Sequence, residues 1–159
     1  KSVPNKVPWG PEHQKSLDKL KSDLCNATAL SVIDYTKDFG LLVDASATAV
    51  GCCLIQWDDH GNERPIAFAS LKLSHTQSRW STIEREAFAV IWSLRKFRPW
   101  IFLSKIVVFS DHNPLSFLTE AAPKSAKLAR WALALQEFNI DFRYRAGRRN
   151  AAADFLSRL

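Results

Sequence analysis

Two carboxylates stand at the ends of apolar runs that are typical of buried strands. The stretch LLVDAS has three apolar residues before Asp44, and the stretch IVVFSDH has four before Ser110 and Asp111. Each aspartate alone has an ordinary structural explanation, because an Asp side chain accepts hydrogen bonds from nearby backbone N–H groups in turns and helix N-caps. The repeated pattern nevertheless suggests that the two residues share a role.

Two further carboxylates lie near the starts of predicted helices. Asp154 lies in the run NAAADFLSRL, where an acid in the first turn also suits the helix dipole. In the run STIEREAFAVIWSLRKF, Ser81 and Glu84 form an S-x-x-E capping box, which gives Glu84 a structural role. Glu86 has no such role, so it is the acid that we predict to act with the other three.

Four carboxylates in one place repel one another and raise each other's pKa values, so they destabilise a fold unless cations bind there. Mg²⁺ and Mn²⁺ are hard ions that prefer such oxygen ligands. Two of these ions ~4 Å apart can activate a water for attack on a phosphodiester and stabilise the departing oxygen. The sequence therefore suggests nuclease chemistry, with these catalytic and metal-binding residues: Asp44, Glu86, Asp111 and Asp154.

The first half of the chain predicts a helix followed by three strands. Apolar residues at helical spacing predict a short amphipathic helix from Pro11 to about Cys25. The runs at 39–45, 49–57 and 64–73 predict strands, and DDHGN between the last two is typical of a hairpin. Three neighbouring strands joined by short turns form an antiparallel meander.

The second half alternates helices and strands. The helix that Ser81 opens is followed by the strand KIVVFSD, a turn or short helix NPLSFL, a helix at about 124–138, the strand IDFRYR and a terminal helix. The order βββ-α-β-α-β-α predicts a mixed α/β sheet with helices on its faces. If the first and fourth strands are adjacent and parallel, Asp44 and Asp111 stand side by side.

Composition limits the class of protein and its location. The 159 residues suit one domain, and no apolar run approaches the ~20 residues of a membrane span, so we expect no membrane association. The chain begins at Lys1 without a secretory leader and contains no Met, so we expect it to be cut from a longer polypeptide. Three cysteines without C-x-x-C spacing predict neither disulfides nor zinc, but small buried residues in a reducing compartment. We expect an intracellular protein, cytoplasmic within a virus-like particle or nuclear.

Positive charge is concentrated in the last quarter of the sequence. The formal net charge is +6, and residues 123–159 contribute +5 of it, from eight Lys/Arg and three Asp/Glu. A polyanion such as nucleic acid explains this asymmetry, and so does a solvated basic face that keeps the protein soluble. Charge alone leaves both explanations open.

Five ordered motifs resemble the ribonuclease H domain of a reverse transcriptase from gypsy-type LTR retrotransposons. They are LLVDAS, STIEREAFAVIWSLRKFRPWI, FSDHNPL, LARWALALQEFNIDFRYRAG and NAAADFLSRL. The upstream WGPEHQKSLDKLKSDL is similar to the segment that joins the polymerase to that domain. We therefore divide the chain into a connection-type lead-in, 1–36, and a ribonuclease H domain, 37–159.

The resemblance implies a ribonuclease H-like fold, a five-stranded mixed sheet with three antiparallel strands and then two parallel ones, flanked by helices. It also implies that two Mg²⁺ ions, or Mn²⁺ in their place, are held by the four acids. The implied reaction is endonucleolytic cleavage of the RNA strand of an RNA·DNA hybrid. The implied partners are that hybrid and the upstream polymerase domain of the same polyprotein.

The chain departs from the family pattern in two ways. Many ribonucleases H carry a histidine in the loop before the last acid, whereas AGRRNAAAD has Arg148 and Arg149. Turnover is then slower, or His112 takes over the role. The short separation of Asp111 and Asp154 leaves no room for the basic helix that some relatives insert, so we expect the isolated domain to bind weakly.

Several other residues are candidate substrate contacts. Hydroxyl, imidazole and amide groups beside the acids could contact the 2′-hydroxyls that distinguish RNA, although each could equally complete a local turn. These are Ser46, Ser110, His112 and Asn113. Basic residues near the last acid are candidate phosphate contacts, namely Arg143, Arg145, Arg148 and Arg149.

Two rival functions remain open. One is a domesticated, non-catalytic copy that binds nucleic acid or a protein partner. The other is an integrase-like or resolvase nuclease, which would need its acids in another order along the chain.

Overall fold

The computed structural model describes residues 9–27, 30–111, 125–146 and 150–158, without the side chains of residues 23–27. The first helix, α1, spans Pro11–Ala27, and it confirms the amphipathic helix predicted there. Contacts between residues divide the chain into two units, Lys1–Leu30 and Ser31–Leu159. The predicted end of the lead-in at residue 36 stays a prediction.

The second unit is built on one five-stranded sheet. Its strands are β1 (Phe39–Ala45), β2 (Ala49–Trp57), β3 (Glu63–Lys72), β4 (Lys105–Ser110) and β5 (Asn139–Tyr144). They lie side by side in the order β3-β2-β1-β4-β5. The pairs β1–β2 and β2–β3 are antiparallel, whereas β1–β4 and β4–β5 are parallel. The predicted meander and mixed sheet are therefore confirmed.

The hairpin between β2 and β3 forms where the Asp and Gly content predicts it. The Asp58 carboxylate accepts hydrogen bonds from the backbone N–H groups of His60 and Asn62, at 3.0 and 2.8 Å. Together with the Asn62 side chain, these bonds lower the pKa of Asp58 to about 2. Gly61 has a φ of +80°, which glycine adopts without the steric cost of a side chain.

Four helices follow in this unit. They are α2 (His75–Ser78), α3 (Thr82–Ile101), α4 (Ala126–Leu135) and α5 (Ala151–Ser157). The capping box of Ser81 and Glu84 is present at the start of α3, as predicted. That helix runs through Pro99 to Ile101, four residues beyond the predicted run. The NPLSFL element and residue 124 lie outside the described residues.

Helices cover both faces of the sheet. On one face, Phe39, Leu41 and Val43 pack with residues of α3 and α4 in the larger core. On the other face, Leu42 packs in a smaller core with Ala153 of α5. This alternation follows from the two-residue period of a strand, which sends successive side chains to opposite faces. β1 is thus buried on both sides, which explains its uninterrupted apolar run.

Three aromatic rings join α3 to α4. The Trp80 ring lies 5.4 Å from the rings of both Phe88 and Trp131, in edge-on geometry. The Lys127 ammonium lies 4.3 Å from the centre of the Trp80 ring. Trp131 therefore packs as part of the fold, as the sequence indicates. Within the described part of the chain, no helix is long and apolar enough to span a membrane.

The two described cysteines are expected to resist modification in the folded protein. Cys52 and Cys53 point to opposite faces and are 0% and 1% exposed, as a buried strand requires. Burial raises the pKa of Cys52 to about 11 and that of Cys53 to about 12. Only about a thousandth of the Cys52 thiol is then ionised at pH 8, and the thiolate is the reactive form. Iodoacetamide labelling followed by peptide mass spectrometry should find both thiols unmodified under native conditions and labelled in denaturant. Rapid native labelling of either would contradict this expectation.

Candidate active site

Asp44 and Asp111 lie beside each other at one edge of the sheet. Asp44 is the penultimate residue of β1, and Asp111 directly follows β4. These strands are parallel neighbours in which Leu42 pairs with Phe109, and the same offset of 67 residues places Asp44 opposite Asp111. The predicted adjacency of the two strands is therefore confirmed. Both carboxylate residues are half-buried, so solvent reaches them.

Glu86 lies in the second turn of α3 and is 6% exposed. β3 ends with Lys72 paired to Ala49, next to the turn that follows Asp44, whereas β4 begins at the opposite edge of the sheet. Because α3 connects these two strands, its first turns lie at the edge where Asp44 lies. Glu86 therefore approaches that edge from the face opposite α5.

Glu84 is committed to structural contacts. Its carboxylate accepts from the Ser81 backbone N–H at 3.1 Å and from the Lys127 ammonium at 2.6 Å. The hydrogen bond from Lys127 is the main reason that the pKa of Glu84 is lowered. The choice of Glu86 over Glu84 as the candidate ligand is consistent with this geometry.

Asp154 is brought to the same edge by α5, which is anchored to β1. Asn150, the N-cap residue of α5, is 2% exposed and donates from Nδ2 to the Val43 carbonyl at 2.9 Å. Its own carbonyl accepts from the Asp154 N–H at 3.0 Å. One buried side chain thus fixes the start of α5 to the residue immediately before Asp44.

The last turn of α5 contacts Asp44 directly. The hydroxyl of Ser157, which is fully buried, donates to Asp44 Oδ2 at 2.5 Å. Asp44 Oδ1 makes no hydrogen bond within the described part of the chain. Gly51, which pairs with Asp44 across β1 and β2, lies under this turn, because a Cβ there would come within 2.5 Å of the Ser157 nitrogen. The absence of a side chain at position 51 therefore lets α5 reach Asp44.

Arg158 lies against the other acid of this pair. Its Nε and Nη2 lie 2.7 and 2.6 Å from Asp154 Oδ1. The hydrogen bond to Asp154 and the negative charges of Asp154 and Asp44 raise the pKa of Arg158. Asp44 and Asp154 thus share the electrostatic influence of one guanidinium.

Sequence reasoning missed three of these contributors, namely Asn150, Ser157 and Arg158. Only Arg158 had a visible signal, because an Arg four residues after an Asp on a helix is a standard ion-pair spacing. The contacts of Asn150 and Ser157 depend on how α5 packs against β1, which no local pattern reveals.

The donor set suits Mg²⁺ by its chemistry, since every predicted ligand offers carboxylate oxygens. Asp154 Oδ2, like Asp44 Oδ1, makes no hydrogen bond within the described residues. However, no three His, Cys, Asp or Glu side chains among those residues converge closely enough to hold one ion. The structure links Asp44 to Asp154 and aligns Asp111 with Asp44, whereas closure of four acids around a metal stays a prediction.

The described substrate candidates have local contacts. Ser46 Oγ accepts from the N–H groups of Thr48 and Ala49, both at 3.0 Å, which completes the turn between β1 and β2. Ser110 is buried, and its carbonyl accepts from the Arg145 N–H at 2.9 Å.

The described arginine candidates also have partners. Arg143 pairs with Asp141 at 3.0 Å. Arg145 pairs with Glu63 and lies 4.2 Å over the Phe109 ring. These contacts neither require nor prevent contact with a nucleic acid, so the substrate roles stay predictions. Four other candidates, His112, Asn113, Arg148 and Arg149, lie outside the described residues.

The sheet order, the flanking helices and the acids at one edge define a ribonuclease H-like domain. A family model agrees, since the one described as "RNase H-like domain found in reverse transcriptase" matches residues 34–138. The chain belongs to this family. It is 41% identical over 146 residues to the Pol polyprotein of transposon opus from Drosophila melanogaster, which covers 91% of this chain and 14% of that polyprotein. The predicted resemblance to a retrotransposon reverse transcriptase is therefore confirmed.

Solved structures support the fold. The foamy viral protease-reverse transcriptase in complex with an RNA/DNA hybrid matches with a TM-score of 0.61 and 21% identity, over 91% of this chain and 20% of that one. LC11-RNase H1 matches with a TM-score of 0.52 and 18% identity, over 76% of this chain and 92% of that one. The chain spans only 12–14% of the length of the leading curated relatives, which are polyproteins.

Proposed function

We propose that the domain is an endonuclease that hydrolyses the RNA strand of RNA·DNA hybrids by a two-metal-ion mechanism, as part of a reverse transcriptase polyprotein. The observation that carries this proposal is the joining of three acids at one sheet edge. Parallel pairing of β1 and β4 aligns Asp44 with Asp111, and Ser157 ties Asp44 to the helix that carries Asp154. A fold maintained only for binding gains no stability from such a repulsive arrangement.

Each acid has a definable part in this reaction. Ser157 holds one oxygen of Asp44 in place, so that Oδ1 is presented in a fixed orientation as a ligand. Asp111 and Asp154 add oxygens from a neighbouring strand and from α5, and Glu86 adds a buried one from α3. When bound, the ions supply Lewis acidity that activates water and stabilises the leaving oxygen. The protein orients the ligands and keeps the edge rigid, because two of the acids lie at the ends of buried strands.

The proposed partners are the hybrid and the upstream polymerase domain, and the proposed location is intracellular. A foamy viral protease-reverse transcriptase and LC11-RNase H1 have each been solved with an RNA/DNA hybrid. Because many cationic side chains here are already paired, as Arg143 and Arg145 are, we expect weak, salt-dependent binding.

A cleavage assay on three duplexes tests the proposal. Strand-labelled RNA·DNA hybrid, duplex DNA and duplex RNA are incubated at low salt with micromolar protein and Mg²⁺, with EDTA controls. We expect cleavage of the RNA strand of the hybrid alone, dependent on the metal, with 3′-hydroxyl and 5′-phosphate ends. No hybrid cleavage at any protein concentration, or equal cleavage of duplex RNA, would contradict the proposal.

A non-catalytic binding module is the second candidate. It is favoured by the guanidinium of Arg158 on Asp154 and by the lack of three converging ligands among the described residues. Thermal unfolding with and without millimolar Mg²⁺ separates the two, because an ion that binds the native state raises the melting temperature. A nuclease site requires an increase, and no shift would favour the binding module.

A further inference from the structure

The end of α5 places a positive charge on the predicted metal ligands. Both Nε and Nη2 of Arg158 contact the same oxygen of Asp154, at 2.7 and 2.6 Å. The charge of Asp44 also acts on this guanidinium. A helical ion pair at this spacing is common, but here one partner is an acid of the candidate active site.

The exposure of Arg158 distinguishes this contact from a structural ion pair. Its side chain is 70% exposed, whereas that of Asp154 is 35% exposed. The guanidinium can therefore leave Asp154 by rotating into water, and no buried charge is left without hydration. Ser157 behaves differently, since it is fully buried and cannot leave Asp44 without moving α5.

We propose that Arg158 is a built-in counter-ion that neutralises the acidic edge when no metal is bound and competes with divalent ions for the Asp154 carboxylate. Like charges repel, so a guanidinium on Asp154 weakens binding of a doubly charged ion to that carboxylate. The acids thereby gain stability before metal arrives. This inference rests on the proposed function in so far as Asp44 and Asp154 are the metal ligands.

The opposite role for Arg158 predicts the opposite sign. If the guanidinium instead orients Asp154 for the metal, its removal loosens the carboxylate and weakens metal binding. Competition requires that removal strengthens metal binding. Metal affinity measured without nucleic acid therefore distinguishes the two roles, independently of activity.

The experiment compares Arg158→Gln with the wild-type chain by calorimetric titration with MgCl₂ and by thermal unfolding at increasing Mg²⁺. We expect the dissociation constant for Mg²⁺ to fall about three-fold or more, because a screened surface charge has effects of this order on a nearby ion. The metal-free melting temperature should fall slightly, and the Mg²⁺-induced increase should become larger. Arg158→Lys retains the charge and should restore an affinity close to that of wild type.

Arg95→Gln is the matched control. Arg95 is exposed on α3 and has no hydrogen bond or ion pair among the described residues, so its replacement removes the same net charge away from the acids. Equal Mg²⁺ affinities in the two Gln variants, or weaker binding in Arg158→Gln, would overturn the counter-ion role.

The cleavage assay separates this inference from the proposed function. Hybrid cleavage by wild type together with unchanged Mg²⁺ affinity in Arg158→Gln overturns the counter-ion role alone. Tighter Mg²⁺ binding in Arg158→Gln without any hybrid cleavage by wild type supports the counter-ion role and contradicts the nuclease. A chain that binds no Mg²⁺ in either form overturns both.

Discussion

Replacing Asp44 with Asn is expected to lower the rate of hybrid cleavage by roughly 10³-fold or more while leaving the fold intact. The substitution removes the charge of a predicted metal ligand, and a loss of about 4 kcal/mol of transition-state stabilisation corresponds to a factor of that size. The amide oxygen can still accept from Ser157, so the link to α5 survives. Removing one of several like charges should keep the melting temperature unchanged or raise it. Cleavage rates and thermal unfolding, measured on the same preparation, check both parts.

Asp59→Asn is the control for this loss. Asp59 lies in the hairpin between β2 and β3, its side chain is 90% exposed, and it pairs with Lys37. The same chemical change there should leave cleavage close to the wild-type rate. If Asp44→Asn cleaves as fast as Asp59→Asn, Asp44 is not a catalytic ligand and the two-metal proposal fails.

Replacing Gly51 with Ala is expected to destabilise the protein by about 1–3 kcal/mol, the usual cost of overpacking a close contact. The new Cβ would lie within 2.5 Å of the Ser157 nitrogen and 2.7 Å of Leu156 Cβ, so α5 must move away from the sheet. That movement breaks the hydrogen bond between Ser157 and Asp44 and displaces Asp154. We therefore expect cleavage per folded molecule to fall by more than ten-fold, measured as activity normalised to the folded fraction from urea unfolding.

Gly61→Ala provides a matched comparison. Gly61 has a φ of +80°, but no atom lies within 4 Å of the position that its Cβ would take. Alanine there costs stability through the backbone, without moving α5. Activity per folded molecule should stay at the wild-type level. A comparable loss in both variants would show that α5 does not transmit the effect of Gly51.

Strong local patterns made most of the sheet predictable. β1 and β2 have the predicted bounds, because apolar runs with turn residues at both ends leave few alternatives. The adjacency of β1 and β4 was predictable only as a condition, since strand order depends on packing. The short α2 was missed although Ser74 and Gln77 form an S-x-x-Q capping box, a signal that the sequence does contain.

The candidate site was predictable in its acids but not in their support. Carboxylates at strand ends and helix starts are visible as residue types, and their order along the chain matches a known family. Ser157 is an ordinary polar residue near the end of an amphipathic run, and its importance arises only when α5 packs over Gly51. The sequence also gives no indication that the acids are held by Ser157 and Arg158 rather than gathered around a single point.

The position of α5 in the chain sets the time at which the site can exist during protein synthesis. Ser157 reaches back to Asp44 across 113 residues, and all five strands leave the ribosome before α5 does. A nascent chain can therefore complete its sheet while Gly51 is still uncovered and the fourth acid is absent. Hydrolysis that depends on Asp154 must start after the rest of the domain has formed. A single late helix thus delays the nuclease until the fold that directs it is complete.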